Sequence, residues 1–296
     1  MTNEKMLTVI MPVYNGCLYV KQTVDSILNQ RFDNFLFLII DDGSTDDTIN
    51  ILSEIKDGRI KIIRREHSGI IDSFNYALSI SDTKYLARID ADDIYYENKF
   101  QKQIDLLENN EEIILVGTDA HYMSAKGIVS KIRAGVPEKH NDIVNNLIKR
   151  KRGLIQSTFI ARSEILKYIG GYRKGIYPED YDLFFRLSKY GKLCNITEPL
   201  AAIRIHKSFS HKNLSMLINN HDRLISEYNL INNNKSKLIP LKYRASYLSI
   251  YLNRIGLYYF LNVSRILSIP IFLLSLIFSP INSSKVILNK ISGSLK

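Results

Sequence analysis

The first hundred residues alternate between apolar runs and amphipathic stretches. Leu7 to Val13 (LTVIMPV) is apolar almost throughout and predicts a buried strand. Leu18 to Asn29 follows, with Leu18, Val20, Val24, Ile27 and Leu28 roughly on one helical face. Phe35 to Ile40 predicts a second strand. Thr45 to Lys56 predicts a second helix, with Ser44 or Thr45 as its N-cap. Ile60 to Ile63, Gly69 to Ser81 and Lys84 to Ile89 continue as strand, helix and strand. Strands alternating with helices of this length imply a parallel sheet with helices on both faces. Ligands of such sheets sit beyond the carboxyl ends of the strands. The polar clusters PVYNG, DDGST and DADD all fall there.

The middle of the chain is less regular. Glu97 to Glu108, Asn141 to Lys151 and Glu179 to Tyr190 predict helices, and Ile113 to Gly117 a strand. Gly170 and Gly171 punctuate a turn. After about residue 210 the pattern changes to helical segments rich in Leu, Ile, Tyr, Asn and Ser. Two regions are therefore expected, at 1–210 and 211–296.

Composition narrows the class. Hydrophobic residues are 45% and charged residues 24% of the 296, which are ordinary globular values. They exclude a disordered chain, a collagen and a multi-span membrane protein. Two cysteines, Cys17 and Cys194, cannot build a disulfide scaffold or a zinc site and suit a reducing compartment. The start of the chain lacks the long apolar core of a signal peptide, so the protein is expected in the cytoplasm. Net charge is +10, but residues 211–296 hold 11 Lys and Arg against 2 acids. A near-neutral body with a basic tail points to a polyanionic surface, nucleic acid or anionic lipid.

Three acidic clusters can carry chemistry. Asp90-Ala91-Asp92-Asp93 puts three carboxylates in four residues at a strand end. They repel unless a cation or donors offset the charge, and hard oxygens suit Mg²⁺ or Mn²⁺. A helix start with acids near its dipole is the plainer alternative. Asp41-Asp42-Gly43-Ser44-Thr45 offers carboxylates for a base or ribose, or simply a capped loop. Tyr177-Pro178-Glu179-Asp180-Tyr181-Asp182 holds either a general base or a favourable helix start.

Taken in order, VIMPVYNG, IIDDGSTDDT, YLARIDADD, GGYR (170–173), PEDYDLFFRL (178–187) and IRIHKSFS (203–210) resemble an inverting glycosyltransferase of family 2 with the GT-A fold. The resemblance runs from about Leu7 to Ser210, and the subset it points to builds bacterial O-antigen, capsule or other surface glycans. It implies an α/β, Rossmann-like, mainly parallel sheet and a metal-dependent transfer from a nucleotide-sugar, UDP by default. Pro12, Val13 and Tyr14 would line the base pocket. Asp42, with Asp41 beside it, would bind base or ribose. Asp90 and Asp92 would be the two acids of the DxD motif, with Ala91 between them on the donor side. Asp92 would ligate Mn²⁺ or Mg²⁺, and Asp90 would contact ribose or the metal's water. Asp180 would be the base, with Glu179 beside it on donor or acceptor. Gly170 and Gly171 would form a loop near the acceptor, and His206 would reach back to metal or diphosphate. The resemblance has departures. His67-Ser68-Gly69 leads to Ser73-Phe74-Asn75 with no arginine before Arg88, so Arg88 or a tail residue then stands to contact the phosphates. Gln156 replaces a frequent histidine. The chain has no tryptophan and hence no QxxRW motif, which argues against a processive synthase.

The tail adds a layer. Tyr243, Tyr247, Tyr251 and Tyr258 sit near one helical face with Lys242, Arg244 and Arg254 nearby. Ile266 to Ile281 is uncharged, shorter than the roughly 20 residues of a spanning helix, and contains Pro270 and Pro280. An interfacial segment on the cytoplasmic face of the inner membrane fits it, close to a lipid-linked acceptor; a cap on the catalytic domain is the alternative. The apolar run argues against nucleic acid. A sugar-nucleotide pyrophosphorylase or a nicotinamide dehydrogenase would need a glycine-rich loop after the first strand, and PVYNG has one glycine. The alternative from another class is an inactive nucleotide-sugar-binding membrane scaffold in a glycan assembly complex. Intact Asp90, Asp92 and Asp180 argue against it.

Overall fold

The computed structural model describes residues 5–149, 151–205, 227, 252–253, 255–263 and 265–278. Its centre is strand β1 (Leu7–Val13), every residue of which is buried. Leu7, Val9, Met11 and Val13 face one core, with Val20, Val24 and Ile27 of helix α1 (Val20–Leu28). Ile10 faces the other, with Phe74, Ala77 and Leu78 of helix α3 (Ile70–Ser79). Covering on both faces is why the strand reads as one apolar run. Strands β2 (Phe35–Asp41) and β4 (Tyr85–Arg88) flank β1 in parallel, and β3 (Ile60–Arg64) pairs with β2. Helix α2 (Thr48–Glu54) links β2 to β3 and begins later than expected. Ser44 and Thr45 do not cap it, because they bond instead to Asn15 in the loop after β1.

The other half of the sheet is mixed rather than parallel. The order is β3-β2-β1-β4-β8-β6-β9-β5, with β7 on β6. Short β8 (Ile160–Arg162) runs antiparallel between β4 and β6 (Ile113–Ser124). Strand β9 (Lys192–Ile205) runs parallel to β6, with register shifts that curl the sheet. Strands β5 (Ile94–Tyr95) and β7 (Val129–Arg133) pair antiparallel with β9 and β6. Helices α4 (Lys99–Glu108), α5 (His140–Ile148), α6 (Ser163–Tyr168) and α7 (Glu179–Leu187) pack around these strands. Because β9 runs parallel to β6, its carboxyl end lies beside the ends of β1, β2 and β4.

Beyond β9, the helical residues 255–262 lie on the sheet edge, where Leu257 packs against Tyr122, Ile132 and Ile205. The Ala125 N–H donates to Asn262 Oδ1 at 2.7 Å, and Asn262 Nδ2 donates to the Ile205 carbonyl at 3.0 Å. Helix α8 (Arg265–Phe278) packs on this layer. Its Phe272 lies so near Gly256 that a Cβ there would come within 2.6 Å of the ring. No helix among the described residues is long and apolar enough to cross a membrane. Cys17 and Cys194 are both free thiols. Of Tyr243, Tyr247, Tyr251 and Tyr258, the last alone lies within the described residues, and residues 279–281 of the apolar run lie outside them.

Candidate active site

The loops after β1 and β2 are laced together. Asn15 adopts a left-handed conformation (φ 52°), which asparagine tolerates better than most residues. Its N–H donates to Ser44 Oγ at 2.9 Å, and its Oδ1 accepts from the Thr45 N–H at 2.8 Å. The Gly16 N–H donates to Thr48 Oγ1 at 2.8 Å. Tyr14 is thereby held over His67, with ring centroids 4.1 Å apart. Pro12 and Val13 end β1 just beneath, and both are buried.

Asp42 is enclosed by donors. Its Oδ1 accepts from the Ser68 N–H (3.0 Å), Ser68 Oγ (3.2 Å) and Ser73 Oγ (2.7 Å). Its Oδ2 accepts from the Gly69 N–H (2.9 Å) and lies 2.8 Å from His67 Nδ1. Burial works to raise its pKa, but the bonds from Ser73, Ser68 and Gly69 together hold it below the ordinary carboxylate value. Asp41 is also buried. It accepts from the Ser44 N–H and lies 3.3 Å from Arg64 Nε.

The turn after β4 has a different balance. Asp90, Asp92 and Asp93 bring carboxylate oxygens within 4.8 Å of one another. Arg88, buried at the end of β4, donates to Asp90 Oδ1 at 2.6 Å, while its Nε has no hydrogen-bond partner among the described residues. Burial pushes Asp90 up from the usual range, Arg88 opposes that, and Asp92 adds to it. Burial also pushes Asp93 well up, reinforced by Asp92 and Asp90. A cluster of hard oxygens that repel one another is the donor set a divalent cation satisfies, so the residues fit such an ion. Asp93 is the least available of the three. Its carboxylate already accepts from Ser157 Oγ (2.8 Å) and the Arg204 N–H (2.9 Å). Asp90 and Asp92 keep partial exposure, and Ala91 lies between them.

Arg204 holds this turn from the end of β9. Its Nε donates to the Asp92 carbonyl at 2.7 Å, an Nη to the Ala125 carbonyl at 3.1 Å and another to Gln22 Oε1 at 2.9 Å. Tyr95 braces the turn from below, its hydroxyl accepting from the Asp90 N–H at 2.9 Å.

Helix α7 brings the third cluster. Glu179, Asp180 and Asp182 lie in its first turn, where carboxylates suit the helix dipole. Glu179 is close enough to act electrostatically on both Arg88 and Asp90. Burial alone would lower the Arg88 pKa; Asp90, Tyr172 and Glu179 raise it above its usual value. Gln156 Nε2 donates to the Tyr172 hydroxyl at 2.9 Å and reaches Glu179 at 3.4 Å. Asp180 accepts from the Tyr181 N–H at 2.9 Å. Asp182 is buried between Arg173 and Arg186, with Nε contacts of 2.9 and 3.0 Å, and anchors the helix. Gly170 and Gly171 end α6, both with positive φ, and a side chain at Gly171 would collide with Asn75. Asn75 there bonds the Tyr172 carbonyl (2.8 Å) and N–H (2.9 Å), and Tyr172 is close enough to Arg88 to act on it electrostatically.

The family model described as glycosyl transferase family 2 matches residues 8–172. An uncharacterised glycosyltransferase of Haemophilus influenzae is 32% identical over 87% of this chain and 77% of its own length. The chain belongs to glycosyltransferase family 2. It is accordingly a transferase of sugars. The O-antigen biosynthesis glycosyltransferase WbnJ of Escherichia coli is 30% identical over 70% of this chain and 82% of its own. An uncharacterised glycosyltransferase of Rickettsia conorii is 29% identical over 69% of this chain, but the match spans only 33% of that longer protein. Among solved structures, Staphylococcus aureus TarS 1-349 in complex with UDP-GlcNAc has a TM-score of 0.62 at 18% identity, covering 86% of this chain and 72% of that one. The mannosyltransferase PcManGT of Pyrobaculum calidifontis, in complex with GDP-Man and Mn²⁺, has a TM-score of 0.55 at 16% identity, covering 98% of this chain and 81% of that one. These likenesses establish the GT-A fold.

In this glycosyltransferase the fold brings Asp90, Asp92, Arg88 and Glu179 into one electrostatic neighbourhood. It sets Tyr14, Asp41 and Asp42 on the adjoining strand ends. His206 lies outside the described residues. Sequence reasoning passed over Arg204, Ser157 and the ring of His67. A lone arginine in the apolar run IRI and a serine 64 positions from Asp93 give no local signal. His67 stood in the segment noted for its missing arginine, and its place against Tyr14 follows only from the fold.

Proposed function

We propose that this glycosyltransferase moves a sugar from a nucleotide-sugar, UDP-linked by default, to a lipid-linked glycan acceptor with inversion at the anomeric carbon. The observation that carries it is the Arg88 cluster, which joins the acids after β4 to the first turn of α7. Asp92 and Asp90 would hold Mg²⁺ or Mn²⁺. Bound there, the ion would stabilise negative charge on the departing diphosphate. Arg88, with a buried Nε to spare, would hold a phosphate oxygen or keep Asp90 ionised. Tyr14 and His67 would stack on the base, with Pro12 and Val13 behind them; Asp42, which the resemblance implies for base or ribose, has its oxygens taken by Ser68, Gly69 and Ser73 and would fix the loops instead, with Asp41 beside it. Asp180 would remove the acceptor hydroxyl proton, with Glu179 orienting the donor or acceptor sugar and the Gly170–Gly171 loop shaping the acceptor side. A base opposite the leaving group makes a single displacement, which inverts configuration. We assign residues 1–210 to catalysis and 211–296 to a basic tail at the cytoplasmic face of the inner membrane. The kinship with an O-antigen enzyme supports a surface-glycan acceptor.

The test is nucleoside diphosphate release from a panel of sugar nucleotides with Mg²⁺ or Mn²⁺ and a lipid-diphosphate saccharide. Asp180→Asn is expected to bind donor normally and turn over slower by a factor of order 10² or more. Full activity in that variant would remove Asp180 as the base, and retention of the anomeric configuration in the product would remove the single displacement.

A further inference from the structure

Helix α8 is built inside out for a protein in water. Ser268 and Ser275 are buried, at 1% and 0% exposure, while Ile266, Leu267, Ile269, Leu273 and Leu274 stand 46–77% exposed. The two sets occupy opposite faces, because 266, 269, 273 and 274 share one side of a helix and 268, 272 and 275 the other. Inside, Ser275 Oγ donates to the Phe272 carbonyl at 2.7 Å and lies 3.1 Å from Asn253 Oδ1. The polar groups are satisfied against the protein, and among the described residues nothing covers the apolar row.

We infer that this outward row of α8 is a docking surface for an anionic lipid bilayer, with the helix lying in the plane of the headgroup–acyl boundary. The inference rests on the proposed membrane-side acceptor and names the residues that meet the lipid. The helix as described is too short for a crossing: its 14 residues rise about 21 Å, short of the roughly 30 Å of a hydrocarbon core. Charge fits an anionic surface. Residues 266–284 carry none, while 211–296 as a whole hold 11 Lys and Arg against 2 acids. Area disfavours a second copy. At these exposures the five outward residues present roughly 500 Å² of accessible surface, below the roughly 800 Å² per partner of a stable interface. The residues under α8 reach the sheet through Asn262, which bonds Ala125 and Ile205, and Arg204 joins Ala125 to the Asp92 carbonyl. The helix that would meet the bilayer is therefore tied through short bonds to the element that holds the acidic turn.

The chain contains no tryptophan, so a single one reports cleanly. Leu273→Trp and, on the catalytic body, Tyr168→Trp are each mixed as full-length protein with phosphatidylcholine vesicles, with or without phosphatidylglycerol. Tryptophan at 273 is expected to shift to the blue and be quenched by lipid-borne quenchers on phosphatidylglycerol vesicles, while 168 is unchanged. In flotation, the triple variant Ile269→Gln, Leu273→Gln, Leu274→Gln is expected to lose at least about tenfold in partitioning, with thermal melting and donor binding unaltered. No blue shift at 273, or flotation of the triple variant equal to wild type, overturns the assignment. So does a shift at 273 that grows with protein concentration without lipid, which would make a second copy the occupant. Absent vesicle binding with intact transfer to a water-soluble acceptor discards the docking surface alone. Intact docking with no transfer to any acceptor discards the transfer reaction alone.

Discussion

Asp41–Asp42 at the end of β2 and Asp90–Asp92 after β4 occupy matching places on the two strands that flank β1, and along the chain they look alike. The fold provides for them in opposite ways. Asp42 receives four hydrogen bonds from Ser68, Gly69 and Ser73, besides its contact with His67. Asp90 receives one from the side chain of Arg88, and two further carboxylates crowd it. A carboxylate whose acceptor sites are filled from within is a fastener for the loops around it. Carboxylates that face one another with few donors are completed from outside, by a cation. The number of donors the fold supplies, rather than the number of acids in the motif, separates the two roles.

The largest effect that would break this comparison is at Asp92. Asp92→Ala is expected to lower Mn²⁺-dependent donor affinity by a factor of order 10³, about 4 kcal/mol. Its melting temperature without metal should hold or rise, because one repelling charge has gone. Isothermal titration with and without a chelator, beside a thermal melt, checks both. A clear loss of apo stability with metal dependence intact would mean that Asp92 is a fastener too.

Asp42→Ala should do the reverse. Its enclosed charge-assisted bonds make a loss of about 3 kcal/mol in stability the expectation, by urea unfolding. Because its folded pKa lies below the ordinary value, this stabilisation is full at neutral pH. It is lost as pH falls through and below the ordinary carboxylate range. A variant as stable as wild type at pH 7 would show that the donors around Asp42 find other partners.

The same logic marks what could be read from the residues alone. Strands β1, β2 and β4 were legible because burial on both faces makes them unbroken apolar runs. Strand β9 was not, since KLCNITEPLAAIRI mixes polar and apolar positions and changes register beside β6. Strand β8 is three residues long, too short for any periodicity. The acids of the site were legible as clusters, but the split between Asp92, partly exposed, and Asp93, taken by Ser157 and Arg204, depends on residues far away in sequence. The donors of Asp42 were nearer to hand: Ser68, Gly69 and Ser73 open the helix that follows β3.

A smaller effect extends the comparison from anions to a cation. Lys99 is fully buried, its ammonium donates among the described residues to the neutral Gln103 Oε1 alone, at 2.8 Å, and it lies 5.4 Å from the ring of Tyr95, which braces the acidic turn. Burial pulls its pKa down to about 7. The unfolded chain therefore binds a proton between about pH 7 and the ordinary lysine value that the folded chain does not. Stability must rise with pH across that window, by up to about 1.4 kcal/mol per unit, and level off below it. Lys99→Met removes the titrating group and with it this slope; it also leaves Gln103 Oε1 without its donor, a cost that is the same at every pH and does not itself tilt the curve. Gln103 Nε2 still holds the Val116 and Thr158 carbonyls, which keeps α4 in place. Urea unfolding at pH 7, 8 and 9 should give a rising series for wild type and a flatter one for Lys99→Met. Equal slopes would mean that Lys99 keeps its charge in the fold, and that the cation under the turn, like the anions within it, has a partner.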